Sequence, residues 1–134
     1  MFDQVNWFAV VGAAIASFVI GFLWYGPLFG KRWMALLGKR PEDVGGPSLG
    51  PILAVSFVMG LVSATALAAI VTAFPSDLGT AAFVGVLVWV ASGLVLKMND
   101  LLYAGRPAGL FYIDSMHHLV TLVVMAVIVG AFRA

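Results

Sequence analysis

Apolar and charged residues fall into blocks along this chain rather than alternating residue by residue. Four continuous apolar runs occupy positions 5–25, 52–74, 80–96 and 109–132, with charge concentrated in the segments between them. A membrane barrel strand would instead show alternating segments of ~10 residues. Each run is close to the ~20 residues a helix needs to cross a hydrocarbon layer ~30 Å thick, and a helix satisfies its own backbone polar groups there. Local punctuation agrees. Gly26-Pro27 closes the first run, and Pro51 suits the first turn of the second helix. Pro75 ends the second run, Ser76 and Asp77 offer a cap for the third, and Gly105-Arg106-Pro107 breaks the third from the fourth. The pattern predicts an all-α polytopic membrane protein. One domain over 1–134 holds four transmembrane helices at roughly 5–27, 51–74, 79–103 and 108–132, in an antiparallel bundle.

Composition reinforces the pattern. The chain is 63% hydrophobic and 10% charged, against ~45–50% and ~25% in soluble domains. A net charge of +1 gives no basic face for nucleic acid. Without cysteine there are no disulfides, thiolate metal sites or thiol catalysis. Met1-Phe2-Asp3-Gln4 carries no basic residue, and the first run is too long for a secretory signal, so it reads as a retained helix. Lys31, Arg32, Lys39 and Arg40 fall in the 1–2 connection, Lys97 and Arg106 at the end of helix 3 and in the turn after it, and Arg133 alone falls on the opposite side. Positive residues stay inside, so this bias predicts an inner-membrane protein with both termini on the non-cytoplasmic side.

The 1–2 connection is the one sizeable segment outside the runs. Phe29, Trp33, Leu36 and Leu37 recur at helical spacing among Lys31, Arg32, Lys39 and Arg40. Residues 28–40 therefore predict a helix lying in the interface, with its basic residues toward anionic lipid. Gly45-Gly46-Pro47 and Gly50-Pro51 mark a loop after it. Trp24, Tyr25, Lys31, Arg32 and Trp33 are candidate interfacial anchors. Small residues repeat at Ser56, Gly60, Ala64 and Ala68, at Ala13, Ser17 and Gly21, and at Ala81, Gly85 and Gly93 around Trp89. Such stripes allow close helix approach, either within one chain or in the homo-oligomer we expect.

Candidate chemistry gathers at the 3–4 turn, in a polar cluster of Lys97, Asn99, Asp100, Asp114, His117 and His118. Ionisable groups inside a span are costly and face the bundle or a watery cavity. With the turn centred near Gly105 and Arg106, Lys97 comes level with Asp114, Asp100 with Phe111, and His118 with Gly93. This register predicts a Lys97–Asp114 ion pair, with His118 one turn deeper. Asp114, His118, Thr121 and Met125 share one helical face. Adjacent His117 and His118 point about 100° apart, so they do not share one metal ion. No nucleophile motif, phosphate-cradling loop, catalytic residue, metal or cofactor is expected. The favoured reading is a non-enzymatic protein that packs against lipid or a partner. The alternative is a small proton- or ion-coupled transporter or channel using Lys97, Asp114 and His118, with an ion or small molecule as its ligand.

The run from Gly21 to Met34, reading Gly-Phe-Leu-Trp-Tyr-Gly-Pro-Leu-Phe-Gly-Lys-Arg-Trp-Met, has Asn6-Trp7 before it and Gly105-Arg106-Pro107 after it. In these features the chain resembles a family of small integral membrane proteins known as domain of unknown function 1761. The resemblance covers essentially the whole chain. It implies a four-helix membrane protein and brings no activity, substrate, cofactor or catalytic residue with it.

Overall fold

The computed structural model describes residues 2–40 and 49–133. Among them, five α-helices and two π-helical segments build four long rods, and a sixth, short α-helix is not part of any rod. The first rod is α1 (Trp7–Leu23), continued by a π-helical segment, Trp24–Leu28. A short helix, α2 (Gly30–Leu37), follows, and α3 (Leu49–Val71) is the second rod. The third joins α4 (Leu78–Val88), a π-helical segment (Trp89–Leu94) and α5 (Val95–Leu102). The fourth is α6 (Ala108–Ala131). All four rods, 22 to 25 residues long, are apolar enough to cross a membrane. At ~1.5 Å per residue they reach roughly 33–38 Å.

Side-chain caps set several helix ends. Asn6 Oδ1 accepts from Phe8 N at 3.0 Å and Ala9 N at 3.4 Å, closing the start of α1. Asp77 does the same for α4: Oδ1 accepts from Thr80 N at 2.7 Å and Oδ2 from the Thr80 hydroxyl at 2.6 Å. These bonds, the Thr80 hydroxyl first, hold the Asp77 carboxyl below its ordinary pKa. Its contribution to stability is therefore present above the unfolded carboxyl's pKa, near ~4, and is lost as the pH falls through the lower folded value. Asp77→Ala is expected to melt at a lower temperature than the native chain at pH 7. The gap should narrow as the pH falls below the ordinary carboxylate range; a gap independent of pH would rule the cap out as its cause.

Two breaks are built differently from a plain stop. Gly26-Pro27 closes the first rod from inside its last turn, one residue before the end at Leu28. Proline clashes with the carbonyl four residues back in an α-helix, and the chain widens there into a π turn with Pro27 inside it. Phe29 N donates to Trp24 O at 2.9 Å, an i to i−5 bond that carries the rod to Leu28. Pro51 stands in the first turn of α3 as expected, where a missing N–H costs nothing, and Gly50, expected as loop, joins it there. The loop expected at Gly45-Gly46-Pro47 lies outside the described residues.

The amphipathic helix expected over 28–40 is present as α2. It ends in a Schellman motif: Gly38 takes φ 72°, Lys39 N donates to Met34 O at 2.9 Å, and Gly38 N to Ala35 O at 3.2 Å. α2 folds back onto the start of α6, where a Cβ on Gly109 would lie 2.7 Å from Leu36 Cδ1. The 1–2 and 3–4 connections thus share one end of the bundle, which we call the basic end.

α6 is the central element and packs against every other rod. The small-residue stripes are used within the chain. Gly60 faces Ser17 and Ala14 of α1, Gly85 faces the α6 backbone at Leu122 and Val123, Gly93 faces His118, and Gly130 faces Ala81. The apolar core fills the end opposite the basic end. Val10 and Ala13, Ala64, Leu67 and Val71, Val84, and Leu122, Met125, Ala126 and Val129 meet there. Arg133 closes that end by donating to the carbonyls of Val71, Phe74 (3.0 Å) and Pro75 (3.4 Å). A cation so placed neutralises the partial negative charge at the C-terminus of α3.

Candidate functional site at the basic end

The first and third rods and the short helix α2 converge on the first three turns of α6. Two tryptophans, each in a π-helical segment, grip it from two sides. Trp24 Nε1 donates to Ile113 O at 2.9 Å, and Trp89 Nε1 donates to Ser115 O at 2.9 Å. A π turn adds a residue to the local repeat and re-aims the side chains on it. In both rods the re-aimed residue is an indole. Between the gripped carbonyls lies Asp114, whose Oδ1 accepts from the Tyr25 hydroxyl at 2.6 Å.

The histidines separate as their spacing requires. His117 faces the first rod, with ring centroids 4.9 Å from Tyr25 and 6.0 Å from Trp24. Its Nε2 lies 3.4 Å from Thr121 Oγ1. His118 faces the third rod against Gly93, where an added Cβ would collide with its ring. Trp33 of α2 covers Tyr25, with centroids 5.0 Å apart, and Phe29 stacks on Trp24 at 4.9 Å.

The expected register is present, since His118 meets Gly93 and Lys97 and Asp114 line one cleft. The ion pair expected between those two is not. Among the described residues Asp114 takes its hydrogen bond from Tyr25, and Lys97 has no ion-pair partner. The reason is geometric: the π turn at Trp24 swings the phenol inward to the carboxylate. Trp24 and Tyr25, expected as membrane anchors, accordingly direct their polar atoms into the bundle. Lys31 and Arg32 stay exposed on α2. Asp100 and Arg106 join Lys97 and Asp114 around the cleft, with Leu101, Leu110 and Phe111, and it encloses about 10 Å³. That is room for about one water. Asn99 is exposed and is not among the residues lining this cleft.

Three contributors escaped the sequence reading. Tyr25 as a partner for Asp114 had one signal, its place beside the Gly-Pro break. Trp89 as a donor had none beyond its small neighbours. Ser115 is 1% exposed, and its Oγ has no partner among the described residues. Nothing in its local sequence sets it apart from Ser17, Thr65 and Thr72, which bond to carbonyls of their own helices.

Chemically, the site is a run of polar groups from Asp114 through Tyr25 and His117 to Thr121, hydrogen-bonded at its two ends and joined by a ring contact between Tyr25 and His117, about 10 Å along α6 at 1.5 Å per residue. No curated protein and no solved structure matches the chain. One family profile does, over residues 8–130, and the chain belongs to that family, described as Protein of unknown function (DUF1761).

Proposed function

We propose that this is a non-enzymatic, non-conducting membrane protein that works by packing, with its basic end pressed against anionic lipid on the cytoplasmic side of the inner membrane. In this reading both termini lie on the other side. The observation that carries it is where the polar line stops. Thr121, 8% exposed, is its last member, and beyond it Leu122, Met125, Ala126 and Val129 pack onto Leu67, Val71 and Val84. Interiors of this kind are close-packed and hold few voids as large as a water. Protons and ions need polar groups or water along their whole path, and this line ends against an apolar plug. The exposed Lys31, Arg32 and Lys39 around the amphipathic α2 support contact with headgroups, each worth ~1 kcal/mol near an anionic surface.

Reconstitution in liposomes tests the reading. Under a proton, sodium or potassium gradient, flux is expected to equal that of protein-free vesicles. Flux above that level, lost in His118→Ala, would replace packing with transport through the Lys97, Asp114 and His118 site.

A further inference from the structure

Lys97 is left in an unusual position. It is half-buried on α5 and has no hydrogen-bond or ion-pair partner among the described residues, although Asp100 and Asp114 line the same cleft. An ammonium beside lipid calls for a counter-charge or for water. One of the two carboxylates, Asp114, already accepts from the Tyr25 hydroxyl through Oδ1. Arg106 reaches the same cleft from the 3–4 turn, and its side chain also has no partner among the described residues. The lining also includes apolar Leu101, Leu110 and Phe111. Leu102, Tyr103 and Tyr112, next to lining residues in the sequence, are exposed and offer surface to the glycerol and upper acyl region of a lipid. A void of about 10 Å³ admits one oxygen-sized group, not a whole anion.

We propose that this cleft binds the phosphate of an anionic phospholipid, one non-bridging oxygen entering between Lys97 and Arg106 while the rest of the headgroup stays outside. The two carboxylates of the lining decide which phosphate. Asp100 and Asp114 repel a doubly charged inorganic phosphate more than a singly charged diester. Two basic side chains among apolar lining residues therefore match a lipid better than a free ion. The proposal rests on the packing reading and narrows it, from a general attraction of the basic end to one seat with two named donors.

Melting temperatures in lipid nanodiscs test it. Discs of phosphatidylcholine alone are compared with discs containing a third phosphatidylglycerol. The native chain is expected to melt roughly 5 °C higher in the anionic discs. Lys97→Gln and Arg106→Gln should each lose most of that rise, Lys97→Arg should keep it, and Lys31→Gln on α2, which meets headgroups only through general attraction, should lose clearly less than either. Retention of the full rise in both Lys97→Gln and Arg106→Gln would overturn the site. Should either fail to fold, retention by Lys97→Arg in anionic discs and its loss in high salt remain the readout; a rise unaffected by salt would also overturn it. Inorganic phosphate added to the phosphatidylcholine discs should produce no rise, and an equal rise would assign the cleft to free phosphate instead. The flux assay is independent of this one, so failure of either proposal is seen separately.

Discussion

Gly85→Ala is expected to destabilise the bundle by about 3 kcal/mol, the upper part of the range for overpacking. The added methyl would stand 2.8 Å from Val123 Cα, 2.9 Å from Leu122 O and 3.0 Å from Val123 N. Those are backbone atoms of α6, and no rotamer change moves them aside. α4 and α6 would have to separate, and theirs is the most extensive helix pairing among the described residues. Gly60→Ala is the control within the same molecule. Its methyl would meet Ser17 Oγ at 2.9 Å, a hydroxyl that can turn away, with Ala14 at ordinary contact distance. Its cost should stay below ~1 kcal/mol, because alanine also favours the helix over glycine by up to that amount. Thermal or detergent-induced unfolding of the two variants checks the difference. Equal effects would mean that the α4–α6 approach is looser than described.

Tyr25→Phe should cost about 2–3 kcal/mol. It keeps the ring that stacks on Trp33 and His117 and removes only the hydroxyl. Asp114 then loses the donor at 2.6 Å in a half-buried setting. Hydrogen bonds to charged groups are worth ~1.5–3 kcal/mol, and a buried acceptor left without a partner adds its own desolvation cost. Asp114→Ala removes the acceptor and leaves the phenol unpaired, for roughly 1–3 kcal/mol. The double variant should cost clearly less than the two singles together, with a coupling of about 1.5 kcal/mol or more. Lys97→Met, by contrast, should show little coupling to Asp114→Ala. The opposite result, strong coupling to Lys97 and additivity with Tyr25, would restore the ion pair that the register alone predicts.

That contrast marks how far the sequence could be read. Rod lengths were legible because lipid forces continuous apolar runs. The cap at Asp77 was legible because a side-chain acceptor sits at a fixed offset from the amide it binds; the one at Asn6 was not read from the sequence. Even the register across the 3–4 turn was legible, since an antiparallel hairpin fixes which residues lie level, and His118 does meet Gly93. What failed was rotation about the helix axis. A 3.6-residue period places Trp24 and Tyr25 on an assumed face, and a π turn changes that face without changing the sequence pattern around it. Pro27 signals a disturbance but does not say whether the helix stops, bends or widens. The Asp114 partner was misassigned for that reason, and Trp89 was missed because nothing local announces its π-helical segment.

The paired indoles have a mechanical consequence. Trp24 and Trp89 hold carbonyls two residues apart, from separate rods and on different sides of α6. Turning that helix about its own axis, or sliding it by one turn, would tear both ties together rather than one after the other. α6 is therefore latched like a bolt with two catches: it stays seated through small thermal jostling, and when it does shift it does so in a single step.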